Sequence, residues 1–404
     1  MAATILSLKA IAVLALQGFI LTGALAAPNF PAKLKEESSA TVLRVGPQRA
    51  LTSIAAAAAT AHDGDTVEIE AGDYEDGVAT WAQNDLTLRA VGGRARISQR
   101  GSSAEGKAIW VIKGNNVLVE NFAFSGGMVP DHNGAGIRHE GGKLTIRECL
   151  FERNEMGLLT WNNVSAELVI ERSEFHDNRV APTYRRSDPG HQIYVGTISR
   201  FTLRESYVHH GADGHLVKSR AKENHIVNNR ITDETGGRSS YELEFPNGGI
   251  AYVIGNIIGQ GPDTENRDVI SFGAEGYRWP RNELYVVSNT LVDDLPWGGN
   301  YIRVRDGADK VLVGNNLLLG AHALHSGATW TVIGNALAKP GDVPLASQRD
   351  YRLKADSALV GTAARLSDAN AKSLRLECEY VHPMQSRALP AGPQSPGALQ
   401  SVVP

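Results

Sequence analysis

The chain has little of several things that would narrow its class at once. Two cysteines, Cys149 and Cys378, occur in 404 residues. Export would permit a bridge between them, but a disulfide scaffold is excluded and the core must come from packing. Aromatic residues make up 6%, and a formal net charge of −4 gives no general attraction to nucleic acid. No segment beyond the N-terminus is apolar for long enough to span a bilayer. Neither a Cys/His pattern for zinc nor a glycine-rich phosphate loop is present. Glycine is plentiful, with 42 residues, which implies many tight turns and a core tolerant of small side chains.

The opening stretch "MAATILSLKAIAVLALQGFILTGALAAP" carries Lys9, a short apolar run and Ala24-Leu25-Ala26. It predicts a secretory signal over residues 1–26 and a linker over 27–40, so the mature protein is expected to be periplasmic or secreted. A membrane anchor is the alternative, but Gln17 and Gly18 interrupt a run already short of the ~20 residues a span needs.

A strand-turn phrase then recurs: "VLVENFAF" (117–124), "LTIRECLF" (144–151), "LVIERSEF" (168–175), "FTLRESYV" (201–208), "HIVNNRIT" (225–232), "YVIGNIIG" (252–259), "LYVVSNTL" (284–291) and "VLVGNNLL" (311–318). Its polar turn residues align as Asn121, Glu148, Arg172, Glu205, Asn229, Asn256, Asn289 and Asn315, spaced by roughly 24–33 residues. Each unit is β-branched, alternates with period two and lacks a helix-length segment. That predicts coils of β-strand stacked at about 4.8 Å, with inward side chains in columns. Asparagine at a repeated bend suits both stacked amides and the left-handed conformation.

"LTSIAAAAATA" (51–61) reads as a short helix capping the first coil, and "DYRLKADSALVGTA" as a closing coil. One β-domain is expected over 41–365, then an extension over 366–404 whose Pro/Gly/Ser-rich end is expected to be disordered. The cap, "GDTVEIEAGDY", the repeats and the closing phrase together resemble the right-handed parallel β-helix proteins of the pectin-lyase-like superfamily. The resemblance spans roughly residues 40–365. It implies an all-β parallel solenoid and leaves the activity open, since that fold hosts lyases, hydrolases, epimerases and non-catalytic adhesins.

A second strand phrase in each repeat places chemistry on one face. Taking Ile137, Leu159, Ile193, Val217, Leu243, Ile270 and Ile302 as an inward column turns Arg138, Thr160, Tyr194, Lys218, Glu244, Ser271 and Arg303 outward. Glu140, Asn162, Gly196, Arg220, Pro246, Gly273 and Arg305 follow two residues on, and Gln192, Leu216 and Glu242 lie on the other side of the column. A solvated Lys218–Glu244 pair is the plain reading, contributing ~0–1 kcal/mol. Against it stand the tyrosine, the clustered arginines and the flanking insertions around 176–190, 260–268 and 276–283. These carry His176, Tyr184, Arg185, Arg186, Asp188, Arg267, Tyr277, Arg278 and Trp279. Arginine forks and aromatic faces beside a linear strip suit an acidic polysaccharide. His191 and His215 follow glycines at equivalent places; they point inward by parity, or outward if a bulge turns them.

β-Elimination on a uronan needs a cation at the carboxylate, a base for the C5 proton and an acid for the leaving oxygen. Arg220 or Arg138 fits the first role. Lys218 fits the base and Tyr194 the acid, or Tyr194 fits both, while Glu244 beside Lys218 works against the lysine as base. C5-epimerisation uses the same abstraction. Inverting hydrolysis would use Glu242 and Glu244, about 7 Å apart on one strand. Gln192, His191, His215, Glu242, Arg138, Arg303 and Arg305 are the remaining candidate substrate contacts. No cofactor is specified; Ca²⁺ held by Asp188, Asp213, Glu242 or Glu244 is the one metal considered. Within the resembled superfamily, the Arg-x-Pro-x-x-Arg of pectate lyases is missing, since "RVAPTYR" (179–185) is one residue too long. The epimerases' Asp-Pro-His-Asp is replaced by Asp188-Pro189-Gly190-His191. Elimination by an exported monomer is the leading expectation, and a non-catalytic polysaccharide-binding protein is the alternative outside enzymes.

Overall fold

Alternation of apolar and polar residues decides the local structure along most of the chain. The computed structural model describes residues 40–181, 190–320 and 324–404. The expected signal, nearly all of the linker, and Tyr184, Arg185, Arg186 and Asp188 lie outside them. In Thr66–Glu75 the first residues alternate, with Val67 and Ile69 fully buried. Such strands pair in parallel from coil to coil and build one sheet of 21 strands and one of nine. A typical coil contributes three strands, as in Val217–Ser219, Glu223–Val227 and Arg230–Thr232. Inside, equivalent side chains stack: Phe124 on Phe151 at 5.1 Å and Phe151 on Phe175 at 4.4 Å between ring centres. Each such ring buries a large apolar area, and parallel stacking adds about 1 kcal/mol per pair.

The bend between the second and third strands separates two jobs that the sequence reading had merged. Left-handed residues stand at Asn121, Glu148, Arg172, Glu205, Asn228, Ser288 and Asn315. The stacked amides come one residue later, at Asn229, Asn256, Asn289, Asn316 and Asn335, and Ser206 continues that column toward the N-terminus. The alignment therefore slips by one at Asn229, Asn256 and Asn289, because "NN", "GN" and "SN" put the only or the second polar side chain one place after the residue that turns the chain. Asn229, Asn256, Asn289 and Asn316 each donate to the next side-chain oxygen at 2.8–3.0 Å, Asn335 ends the series by donating to Val313 O, and each amide accepts a backbone N–H from the coil before. Cys149 occupies the same column, buried, with its thiol pushed up to about 12 by burial; it and Cys378 are both free.

The cap helix is Ile54–Thr60, shorter than expected. Ser53 Oγ accepts from Ala56 N at 3.2 Å, and Ile54, Ala57 and Ala58 are buried against the first coil. Gln83 Nε2 ends it by donating to the carbonyls of Ala58 and Ala61 at 3.1 and 3.0 Å. At the other end the last coil strands are Trp330–Ile333 and Ala336–Leu337. The tail expected to be disordered is instead packed. Cys378–Val381 and Gln385–Ala388 pair antiparallel, Ala398 is fully buried, and its N–H reaches Thr290 Oγ1 at 3.1 Å. The reason lies on the solenoid: Ile257, Val292 and Leu317 point outward there and need an apolar cover, which Tyr351, Leu353, Tyr380 and Ala398 provide. Among the described residues, no helix is long and apolar enough to cross a membrane.

Candidate functional site

The nine-stranded sheet carries the outward strip. Its inner column runs Trp110, Ile137, Leu158, Ile193, Val217, Leu243, Ile270 and Ile302. The outer one runs Val111, Arg138, Leu159, Tyr194, Lys218, Glu244, Ser271 and Arg303 over the same pairs. Tyr194, Lys218 and Glu244 are thus on three successive coils, as expected. The coil of Met156–Thr160 is corrected by one residue. Leu158 points inward, Leu159 joins the strip and Thr160 leaves it, because two adjacent leucines satisfy either register. Exposed Trp161, in place of Asn162, then stands beside Arg138, whose guanidinium lies 5.4 Å from its ring.

A carboxylate-holding site forms at the centre of the strip. Arg220 grips Glu275 with two parallel bonds, Nη1 to Oε2 at 2.6 Å and Nη2 to Oε1 at 2.9 Å. Lys218 Nζ donates to the same Oε1 at 3.1 Å. On its other side Lys218 Nζ lies 3.2 Å from Glu244 Oε2, which is 3.0 Å from His215 Nε2. Arg220 also donates from Nε to Tyr194 Oη at 3.0 Å and from Nη1 to Asn247 Oδ1 at 2.5 Å. Glu275 and Asn247 were missed by the sequence reading, which named Tyr277 and Trp279 of the same loop. Glu275 lies in a non-repeating turn, so no column points to it. Gly273 makes the turn possible: its φ is +83°, and a Cβ there would lie 2.5 Å from the Tyr277 ring.

The electrostatics follow from burial and pairing. Arg220 and Lys218 hold the Glu275 carboxyl at about 2, against a smaller opposing effect of burial. Burial alone would lower Lys218, but the Glu244 charge and then Glu275 outweigh it and hold the ammonium above its ordinary range. That favours the charged form of Lys218 and runs against the role of base expected from the sequence. Burial would raise Glu244, yet His215 and Lys218 bring it below the usual carboxylate range. His215 itself is pushed down by burial, ahead of the opposing pull of Glu244.

The two histidines sit under the strip. His191 Nδ1 accepts the His215 backbone N–H at 2.9 Å, and the rings are 4.8 Å apart. A Cβ on Gly214 would lie 1.6 Å from Gly190 O, so glycine is required for these coils to stack and bring His215 to Glu244. Both imidazoles are buried, so neither points freely outward.

Other candidates separate from the site. Gln192 is buried in an amide ladder, its Oε1 accepting from Asn178 Nδ2 at 2.6 Å, because the chain bends just before Ile193. Glu242 is fully buried, accepts from Ser239 Oγ at 3.1 Å, and is raised well above the usual range by burial and then by Asp233. It cannot meet a substrate, so the paired carboxylates of an inverting hydrolase are absent at this place. Asp213 pairs with Arg238 at 3.1 Å, and no metal-holding group of three His, Cys, Asp or Glu occurs among the described residues. Arg303 and Arg305 do extend the strip, lining a depression of about 350 Å³ with Ser271.

The strand order, inward columns and strip define a parallel β-solenoid with a polar ribbon along the nine-stranded sheet. A family described as the right handed beta helix region matches residues 97–256. Among solved structures, the crystal structure of pectate lyase Pel9A is similar with a TM-score of 0.59 at 14% sequence identity, covering 90% of this chain and 97% of that one. No curated protein sequence matches. The chain is a right-handed parallel β-helix, and at that identity the likeness reaches the fold alone.

Proposed function

We propose that the protein is exported and acts on an acidic, uronate-containing polysaccharide, cleaving it by β-elimination along the strip centred on Tyr194. The observation that carries this reading is the grip of Arg220 and Lys218 on the Glu275 carboxylate. A substrate uronate would exchange with Glu275 and receive the same forked and point-charge contacts. Two cations at that carboxylate stabilise the charge that builds up when C5 loses its proton.

Tyr194 is the proton carrier in this scheme. Half-buried on the strip, it accepts from Arg220 Nε at 3.0 Å, which holds its oxygen beside the two cations. The phenolate takes the C5 proton, the C4–O bond breaks as the C4–C5 double bond forms, and the same phenol returns the proton to the leaving oxygen. Lys218 neutralises; Glu244 and His215 hold it in place. Arg138 on one side and Arg303 with Arg305 on the other lengthen the cationic ribbon for neighbouring sugars. The similar fold of pectate lyase Pel9A agrees with a polysaccharide ligand.

The test is a uronan screen read by unsaturated-product absorbance and by reducing ends. Elimination predicts both signals together, with Tyr194→Phe and Arg220→Ala each lowering kcat by roughly 100-fold or more. Reducing ends without absorbance, C5 proton exchange without cleavage, or binding without turnover would each replace this reaction with another.

A further inference from the structure

A large aromatic ring stands in the open on the N-terminal part of the strip. Trp161 is 56% exposed, although burying such a ring is among the larger apolar gains open to a chain. A single exposed apolar side chain needs no explanation by itself, but the setting of this one does. Its indole lies 5.4 Å from the Arg138 guanidinium, so a largely buried cation backs the ring.

The backbone here is held from both sides. Trp161 N–H donates to His139 O of the coil before at 2.8 Å. From the coil after, Gly196 N–H donates to Thr160 Oγ1 and Thr197 N–H to Asn162 Oδ1, each at 2.8 Å. Three consecutive residues are thereby pinned, and little ordering is left for a ligand to impose.

Register relates the ring to the site of the proposed reaction. Leu159 pairs with Tyr194 and Val195 with Ser219, so Trp161, Gly196 and Arg220 share one position on three successive coils. Trp161 therefore stands about 10 Å along the strip from Arg220. Gly196 puts no side chain between them, and a Cβ there would lie 2.6 Å from Asn162 Oδ1 and 3.1 Å from Trp161 O.

Resting on the acidic-polysaccharide reading, we infer that Trp161 is a stacking platform for another sugar of the same chain, two units from the uronate held by Arg220 and Lys218. The ring takes the C–H face of a pyranose. Asn162 is exposed beside it, with Oδ1 bound to Thr197 and Nδ2 left for a hydroxyl. Arg138 is already set against the indole and, at 3.5 Å, against Glu140 Oε1. The platform thus reads ring shape and not charge, and it distinguishes a long chain from a short one.

Titration calorimetry on the full chain carrying Tyr194→Phe, with turnover slowed, tests this with galacturonate and mannuronate oligomers of two and four units. Trp161→Ala should weaken the tetramer roughly tenfold and leave the dimer within about twofold, while Trp161→Phe keeps most of the tetramer's affinity. The Trp161→Ala loss should be equal at low and high salt, whereas the Arg220→Ala loss shrinks as salt rises. A tetramer indifferent to Trp161→Ala, equal losses for dimer and tetramer, no recovery in Trp161→Phe, or a Trp161→Ala loss that shrinks with salt would each overturn the platform. If Arg220→Ala still weakens binding in those cases, the reading of the strip survives. No binding of any oligomer would overturn both together.

Discussion

Glu275 is the side chain whose replacement separates occupancy of the strip from its chemistry. Its carboxylate competes for the two cations a uronate would need, so Glu275→Gln should tighten binding of an acidic oligosaccharide roughly tenfold, the scale of one charge-assisted contact. Titration calorimetry at fixed salt checks this; unchanged or weaker binding would mean that Glu275 organises the cations rather than competing for them. His139 gives a pH signature elsewhere in the same sheet. It is 1% exposed, its Nε2 faces Gly142 O at 3.1 Å, and burial lowers it to about 4. The unfolded chain binds the proton from about 6.5 downward while the folded chain does not, so the unfolded state holds more protons in that window. The contribution is complete above about pH 6.5 and is lost as pH falls to about 4, on the order of 3 kcal/mol. Urea unfolding of His139→Gln against the parent at pH 7 and 4.5 should show a smaller pH dependence in the variant.

The amide column makes the coils interdependent. Asn256 accepts from the Asn229 side chain and backbone and donates to Asn289 Oδ1 and to the carbonyl of Ile226, all within 2.8–2.9 Å. Asn256→Ala leaves buried partners on both neighbours unmade and should cost about 3–4 kcal/mol. Asn335→Ala, on the last strand pair and part-buried, should cost less than half of that. Equal losses in urea titrations would mean the column is not acting as a chain. These columns were readable in advance because period two and a recurring coil length constrain every inward residue at once. What was not readable had a physical cause in each case. Leu158 and Leu159 are chemically interchangeable, "NN" hides which asparagine turns the chain, and Gln192 leaves its expected parity where the backbone bends. Glu275 reaches the site from a turn with no counterpart in other coils.

The C-terminal segment was misread because composition registers Pro, Gly and Ser but not the apolar surface awaiting them. Ile257, Val292 and Leu317 are each at most 3% exposed under it. Removing residues 366–404 should therefore lower stability by a few kcal/mol and raise binding of an apolar dye, measured by melting and fluorescence. A truncated chain that melts with the parent would show that the stretch before residue 366 suffices as cover.

The asparagine column also has a direction. Each amide from Asn229 to Asn316 gives one hydrogen to the C-terminal neighbour's oxygen and the other to a carbonyl of the coil before, so each of these rungs presents the same two ends. A rung with matching ends can be copied or excised without leaving a mismatch. Duplicating one complete turn in mid-column would push the flanking turns apart by about 4.8 Å and add one more outward position to the ribbon. Lineages built on this scaffold could thus adjust how many sugars they span by counting turns, with no redesign of the interior.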